Sequence, residues 1–206
     1  MKILIAAAFV ALTAGTAYAQ DNSMSFFVTS ANPGKGGDLG GLAGADAYCD
    51  QLATAAGSTG KTWKAYLSTD AEDAKDRIGA GPWVNAKGVK VADDVASLHS
   101  DANNLTKDTA LDEKGEVISG RGDTPNRHDI LTGSNADGTK AAETCGNWTL
   151  SGADGAAIVG HHDRVGIDDS APMKSWNHSH PTRGGCSMEA FKSTGGDGLF
   201  YCFATN

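Results

Sequence analysis

The sequence predicts an α+β protein in which helices come early, short strands come late and long loops join them. Three observations carry that expectation. Apolar residues recur at helical spacing between Leu42 and Ala56, whereas Ser25–Ser30 and Leu199–Phe203 are β-branched or aromatic runs of strand length. Glycine is abundant and proline scarce, 27 residues against 5, which suits a scaffold of many tight turns. Four cysteines, Cys49, Cys145, Cys186 and Cys202, follow what reads as an export leader, and an even count in an oxidising compartment predicts disulfides.

The leader is expected over residues 1–19. Lys2 supplies the positive end, Ile3–Leu12 the apolar stretch, and Ala17-Tyr18-Ala19 the small-x-small cleavage pattern before Gln20. The apolar stretch is shorter than the roughly 20 residues of a membrane-spanning helix, and no later run approaches that length. The expected product is a single domain over residues 20–206, secreted or periplasmic. Its about 187 residues are enough to bury a core. Loss of Lys2 takes the net charge from −8 to about −9. An acidic surface of that size argues against nucleic acid and anionic lipid, which reward clustered Lys and Arg.

The elements follow in chain order. Ser25–Ser30 reads as a strand. Leu42, Ala45, Tyr48, Cys49 and Leu52 share one face of a helix that ends at Gly57, with Cys49 on the buried side. Trp63–Ser68 alternates apolar with polar and reads as a strand. Ala71–Ile78 reads as a short helix capped by Asp70 or Thr69, with acidic residues in its first turn. From Gly79 to Lys140 the signal thins into turns, apart from a hairpin-like piece around Lys114-Gly115-Glu116. Leu199–Phe203 is an unbroken apolar run and reads as a buried strand. None of the cysteine spacings is C-x-x-C, so a zinc ribbon or thioredoxin-type redox site is not expected.

Several of these segments together resemble a known family. Gly40–Ser68, GGLAGADAYCDQLATAAGSTGKTWKAYLS, is similar to the opening of collagen-derived endostatin, where a GxxGAD-x-x-C helix leads into an aromatic-x-Ala-aromatic-Leu-Ser strand. Leu131–Trp148, LTGSNADGTKAAETCGNW, resembles the W-x-G-(S/T)-(D/N)-x-(D/N)-G stretch and following C-x-x-W of that domain and of related bacterial secreted lectin-like proteins, with Leu131 in place of Trp. Cys186 and Leu199–Phe203 resemble the segments around the last two cysteines. The resemblance implies a C-type-lectin-like fold of the endostatin branch, with short helices, a twisted, mostly antiparallel sheet and long loops. It also implies nested disulfides, Cys49 with Cys202 and Cys145 with Cys186.

The same resemblance suggests where a ligand would sit. Sugar-binding C-type lectins hold calcium between a Glu-Pro-Asn loop and a Trp-Asn-Asp strand, because hard calcium takes six to eight oxygens. Here Thr124-Pro125-Asn126 and Trp176-Asn177-His178 stand in the corresponding order, each without its carboxylate, with Asp123 and Asp129 as replacements. The loop Arg121–Gly138 is dense in polar residues and short of core residues. Candidate ligand-binding residues are therefore Asp123, Asn126, Arg127, His128, Asp129, Trp176 and Asn177. Candidate metal ligands are Asp123, Asn126, Asn177, His178 and His180, with calcium as the expected ion and zinc or copper as the alternative. That alternative gathers the later histidines, His161, His162, His178 and His180, with Asp163. The amino-terminal histidines that bind zinc in endostatin have no counterpart in Gln20–Phe27.

Other features weigh little. Arg121-Gly122-Asp123 matches an integrin-type tripeptide and reads equally as a turn. Asn104, Asn147 and Asn177 begin glycosylation sequons, which matter only in a host that glycosylates exported asparagines. Trp148 is expected in the core. Trp83, after Gly81-Pro82, is either an exposed stacking platform or a packed anchor. There is no G-x-S-x-G elbow, H-E-x-x-H or P-loop, and catalysis is not expected. His128-Asp129 and His162-Asp163 are adjacent in sequence, which does not by itself set them face to face. The expected function is recognition of a glycan or an extracellular protein through Arg121–Gly138 and Trp176–Arg183. The alternatives are a metal-binding exported protein and a self-associating structural component. Heparin-type polyanions are not expected, since Arg77, Arg121, Arg127, Arg164 and Arg183 are scattered.

Overall fold

The computed structural model describes residues 23–206, so the expected leader lies outside the described residues. The elements are β1 (Phe26–Val28), α1 (Gly41–Ala55), β2 (Trp63–Ala65), α2 (Ala74–Arg77), β3 (Trp83–Val84), β4 (Lys90–Ala92), α3 (Val95–Leu98), β5 (Asp129–Leu131), the irregular turn α4 (Cys145–Trp148), β6 (Ile158–His161), a 3₁₀ turn at Pro172–Lys174, β7 (His180–Pro181), α5 (Met188–Thr194) and β8 (Gly196–Ala204). The fold is α+β, as expected.

The unbroken run near the end explains the architecture. β8 is buried on both faces, so alternation throws Phe200, Cys202 and Ala204 into one core and Leu199, Tyr201 and Phe203 into another. β1 pairs antiparallel with β8 at Tyr201–Phe203, and β2 pairs antiparallel with it at Cys202–Ala204. Because both engage Cys202 and Phe203, β1 and β2 lie on opposite edges of β8. β5 runs parallel to β8 through Leu199 and Phe200, and β6 and β7 follow antiparallel beyond it. Among the described residues every strand pairing but β5 with β8 is antiparallel, and one isolated bridge, Val28 with Asp112, is parallel.

Helix α1 covers one core through Ala45, Cys49 and Ala53, the buried i, i+4, i+8 stripe, and its end is marked by Gly57 at φ +88°. The disulfides are Cys49–Cys202 and Cys145–Cys186. The first ties α1 to β8 across a sequence separation of 153 residues and the second spans 41, so the nested pairing is the one present.

Helix α2 is shorter than expected. Asp73 stands at its N-cap position rather than Asp70 or Thr69, because the preceding residues are committed elsewhere. Thr69 bridges Glu72, and the Asp70 carboxylate takes Asn147 Nδ2 and the Lys140 ammonium. The piece at Lys114-Gly115-Glu116 is a tight reversal closed by a single bridge between Leu111 and Val117. Trp83 is fully buried and its Nε1 donates to Ala204 O at 3.1 Å, which makes it a packed anchor and removes it as a stacking platform. Trp148 is likewise buried, donating to Ser68 O.

Candidate metal centre

Three neighbouring strands each deliver one side chain to the same face of the sheet. Asp129 on β5 and His161 on β6 are cross-strand partners, and His180 on β7 pairs with Val159, two residues from His161 on the same face. Facing and diagonal positions of this kind lie within reach of carboxylate and imidazole side chains. His128 joins from the residue before β5, where a register shift between Asp129 and Ile130 re-aims the chain.

The four side chains meet at Asp129 Oδ1. His128 Nε2 lies 3.1 Å from it, His161 Nε2 3.3 Å and His180 Nε2 3.7 Å. His161 Nε2 and His180 Nε2 are 3.1 Å apart, and the His128 and His161 rings stack at 4.2 Å. His128, Asp129 and His161 are buried, and His180 is part-exposed at 29 % of its side chain, so the cluster opens to solvent on the His180 side.

The hydrogen bonds on the far side of each ring set what the near side can do. His161 Nδ1 donates to Met173 O at 2.8 Å and His180 Nδ1 to Pro181 O at 3.1 Å. A carbonyl only accepts, so both Nδ1 atoms carry a proton and the two Nε2 atoms are left facing the cluster, where a proton or a metal ion can sit. His128 Nδ1 faces Asp163 Oδ1 at 3.5 Å, and the Asp163 carboxylate is itself held by the backbone N–H groups of Arg121 and Val165. Burial opposes ionisation of Asp163, but His128 and those amides win and hold its pKa far below the usual range. Desolvation would lower His161, yet Asp129 and the Met173 carbonyl raise it above its ordinary value.

Two imidazole Nε2 atoms 3.1 Å apart beside a buried carboxylate call for a positive charge among them, which a proton on His161 or a metal ion supplies. The edges fit one. A tetrahedral ion with bonds of about 2.0–2.1 Å has ligand atoms about 3.3–3.4 Å apart; the ligand atoms of His128, Asp129 and His161 lie within 4.8 Å of one another, with edges of 3.1 and 3.3 Å to Asp129 Oδ1, and His180 stands beside this trio, 3.1 Å from His161 Nε2. There is also room. A Cβ at Gly195 would lie 3.1 Å from His128 Nε2, 3.2 Å from Asp129 Oδ2 and 3.3 Å from Asn126 Nδ2, so a side chain there would fill the space beside the ligand atoms. Three imidazoles and one carboxylate form a borderline donor set that suits zinc or copper, whereas calcium takes oxygen donors.

The sequence-predicted residues divide between this cluster and other places. His128, Asp129, His161 and His180 come together, and His128 and Asp129 face each other despite being adjacent in the chain. Asp163 stands one layer behind them. His162 points away, its Nε2 3.4 Å from Ser119 O. His178 gives Nδ1 to Ser134 O. Asn126 Oδ1 accepts from His128 N, an Asx turn that sets the loop leading into β5. Asp123 is exposed and binds Lys107 Nζ and Gly120 N, so Arg121-Gly122-Asp123 forms a turn. Arg127 pairs with Asp197 at 3.1 Å. Trp176 is buried against Tyr66 and Tyr201. Asn177 spends its amide inside the fold, donating to Tyr66 Oη, Asn135 O and Ala136 O and accepting from Ser175 Oγ. Asp123 Oδ2 and Asn177 Oδ1 are thus taken by protein partners.

No protein-family model and no curated protein matches the chain.

Proposed function

We propose that this is an exported metal-binding protein, built on an endostatin-like, C-type-lectin-like scaffold, that takes one zinc ion through His128, Asp129, His161 and His180. The observation that carries the reading is the convergence of His128, His161 and His180 Nε2 on the buried Asp129 carboxylate. Copper shares the donor preference and binds such sites strongly, and the short edges from Asp129 Oδ1 to His128 and His161, 3.1 and 3.3 Å, favour zinc. Three buried donors, His128, Asp129 and His161, form the core of the site, and part-exposed His180 stands beside them as the fourth. The ion would fasten β5, β6 and β7 to one another at the point where the sheet lacks long strands. The disulfides and the leader pattern support the exported setting.

The test is elemental analysis of mature protein purified without a polyhistidine tag and dialysed against zinc. One equivalent of zinc in the parent, and none in a folded D129A variant, is the expected result. A parent protein with no stoichiometric transition metal would overturn the reading.

A further inference from the structure

The segment that carries Met173, whose carbonyl holds His161, also forms a wall of a cavity of about 620 Å³, within the range of small-molecule sites. Arg164, Pro172, Lys174, Trp176 and His178 are among its lining residues. Arg164 is the unusual one. It adopts φ +58°, a left-handed conformation that bulky side chains avoid, and its guanidinium is partly withdrawn from solvent. Its three protein hydrogen bonds, from Nε to Leu105 O, Nη1 to Lys174 O and Nη2 to Asn103 Oδ1, all go to neutral oxygens. A guanidinium has five N–H donors, so two remain, on a charge that no carboxylate among the described residues touches. The neighbouring cation, Lys174, is already paired with Asp169 at 2.7 Å.

His178 supplies the complementary group. Its Nδ1 is bound to Ser134 O, which leaves Nε2 as an acceptor when the ring is neutral. A ligand matching both would place a planar anion on the guanidinium and a hydroxyl on the imidazole, with its ring against Pro172. Exposed Asp101 also lines the cavity, which weighs against a dianion or a polyanion and favours a single negative charge.

We propose that this cavity binds a monoanionic sugar acid, with its carboxylate on Arg164 and a hydroxyl on His178 Nε2. The site is separate from the metal centre and does not depend on zinc being the ion there.

Isothermal titration of the zinc-dialysed mature protein with glucuronate and with glucose tests it. Saturable binding of glucuronate, at least tenfold tighter than glucose and weakened by salt, is expected. R164N should abolish it, with Asn chosen because it tolerates a positive φ. H178A should weaken it several-fold, and both variants should keep their zinc. Equal binding of the two sugars, no saturable binding of glucuronate, or unchanged binding in a folded R164N would each overturn the proposal. Should R164N fail to fold, H178A decides, and undiminished binding there overturns it as well.

Discussion

Asp129 and His161 are direct partners across β5 and β6, with Asp129 Oδ1 3.3 Å from His161 Nε2. The pairing that builds the sheet therefore also builds the site, and a ligand can be removed without dismantling the fold only where the sheet does not need it. His180 is that ligand, because β7 is a two-residue edge strand and the side chain is part-exposed. His180→Ala should leave the melting temperature of chelated protein almost unchanged while removing the increase seen on adding zinc. For the parent that increase corresponds to about 2.7 kcal/mol when free zinc is a hundredfold above its dissociation constant. A zinc-induced shift of full size in the variant would show that His180 is not a ligand.

Gly195 tests the space beside the cluster. Alanine there would press on His128, Asp129 and Asn126 and would also have to adopt φ +136°. Gly57 separates the two costs, since it has φ +88° and nothing within 4 Å of its would-be Cβ. Gly57→Ala should cost about 1 kcal/mol and keep full zinc binding. Gly195→Ala should lose at least tenfold in zinc affinity, measured by competition with a chromogenic chelator. Equal affinity in the two variants would show that the space beside Gly195 is not part of the site.

How far the sequence foretold this arrangement depended on the length of each element. β8 and α1 were legible because nine and fifteen residues give a pattern room to repeat. β5 and β7, at three and two residues, carry no periodicity, and β6 is interrupted by Gly160, where a Cβ would meet Trp176 O at 1.9 Å. The histidines were visible as candidates, but grouping His161 and His180 with His128 and Asp129, rather than with His162 and His178, requires the strand register. The available hint was alternation: in His161-His162 and in His178-Ser179-His180, neighbouring side chains point to opposite faces. The Trp176-Asn177 segment was read by its similarity to a surface strand, whereas its aromatic neighbours Tyr66 and Tyr201 take it into the core.

Acid should weaken the fold through His162. Burial pulls its pKa down to about 4, with Asp163 only partly opposing, against about 6.5 in an unfolded chain. Between those values the unfolded chain takes a proton that the native ring refuses, so this contribution is complete above pH 6.5 and is lost as pH falls toward 4. The difference amounts to at most about 3 kcal/mol. Asp163, held low in the native state, adds a further loss below the ordinary carboxylate range. His161 acts in the opposite sense, since its raised pKa favours the folded state once pH drops below 6.5. The clean comparison is therefore urea unfolding of chelated parent and His162→Gln between pH 7 and 4. The variant should lose less stability over that range, and parallel curves would show that His162 is not the group responsible.

Asp123 and Asn177, the two residues expected to flank a calcium and sugar, should separate sharply in stability. Asp123 is exposed, and its bonds to Lys107 and Gly120 are those of a surface turn. Asp123→Ala should leave the urea midpoint almost unchanged, as the loss of an exposed ion pair does. Asn177 is buried and joins Tyr66 Oη, Asn135 O and Ala136 O through one amide. Its removal strands those groups without water, at about 2 to 3 kcal/mol. The Tyr66 hydroxyl also meets His99 Nε2 at 2.7 Å, and His99 Nδ1 meets Val95 O, so the damage should spread toward α3. Urea midpoints of the two variants, together with amide exchange at Ser97–Ser100, measure both effects. An Asn177→Ala protein as stable as the parent would mean that the side chain faces solvent, and would return it to the set of residues able to meet a ligand.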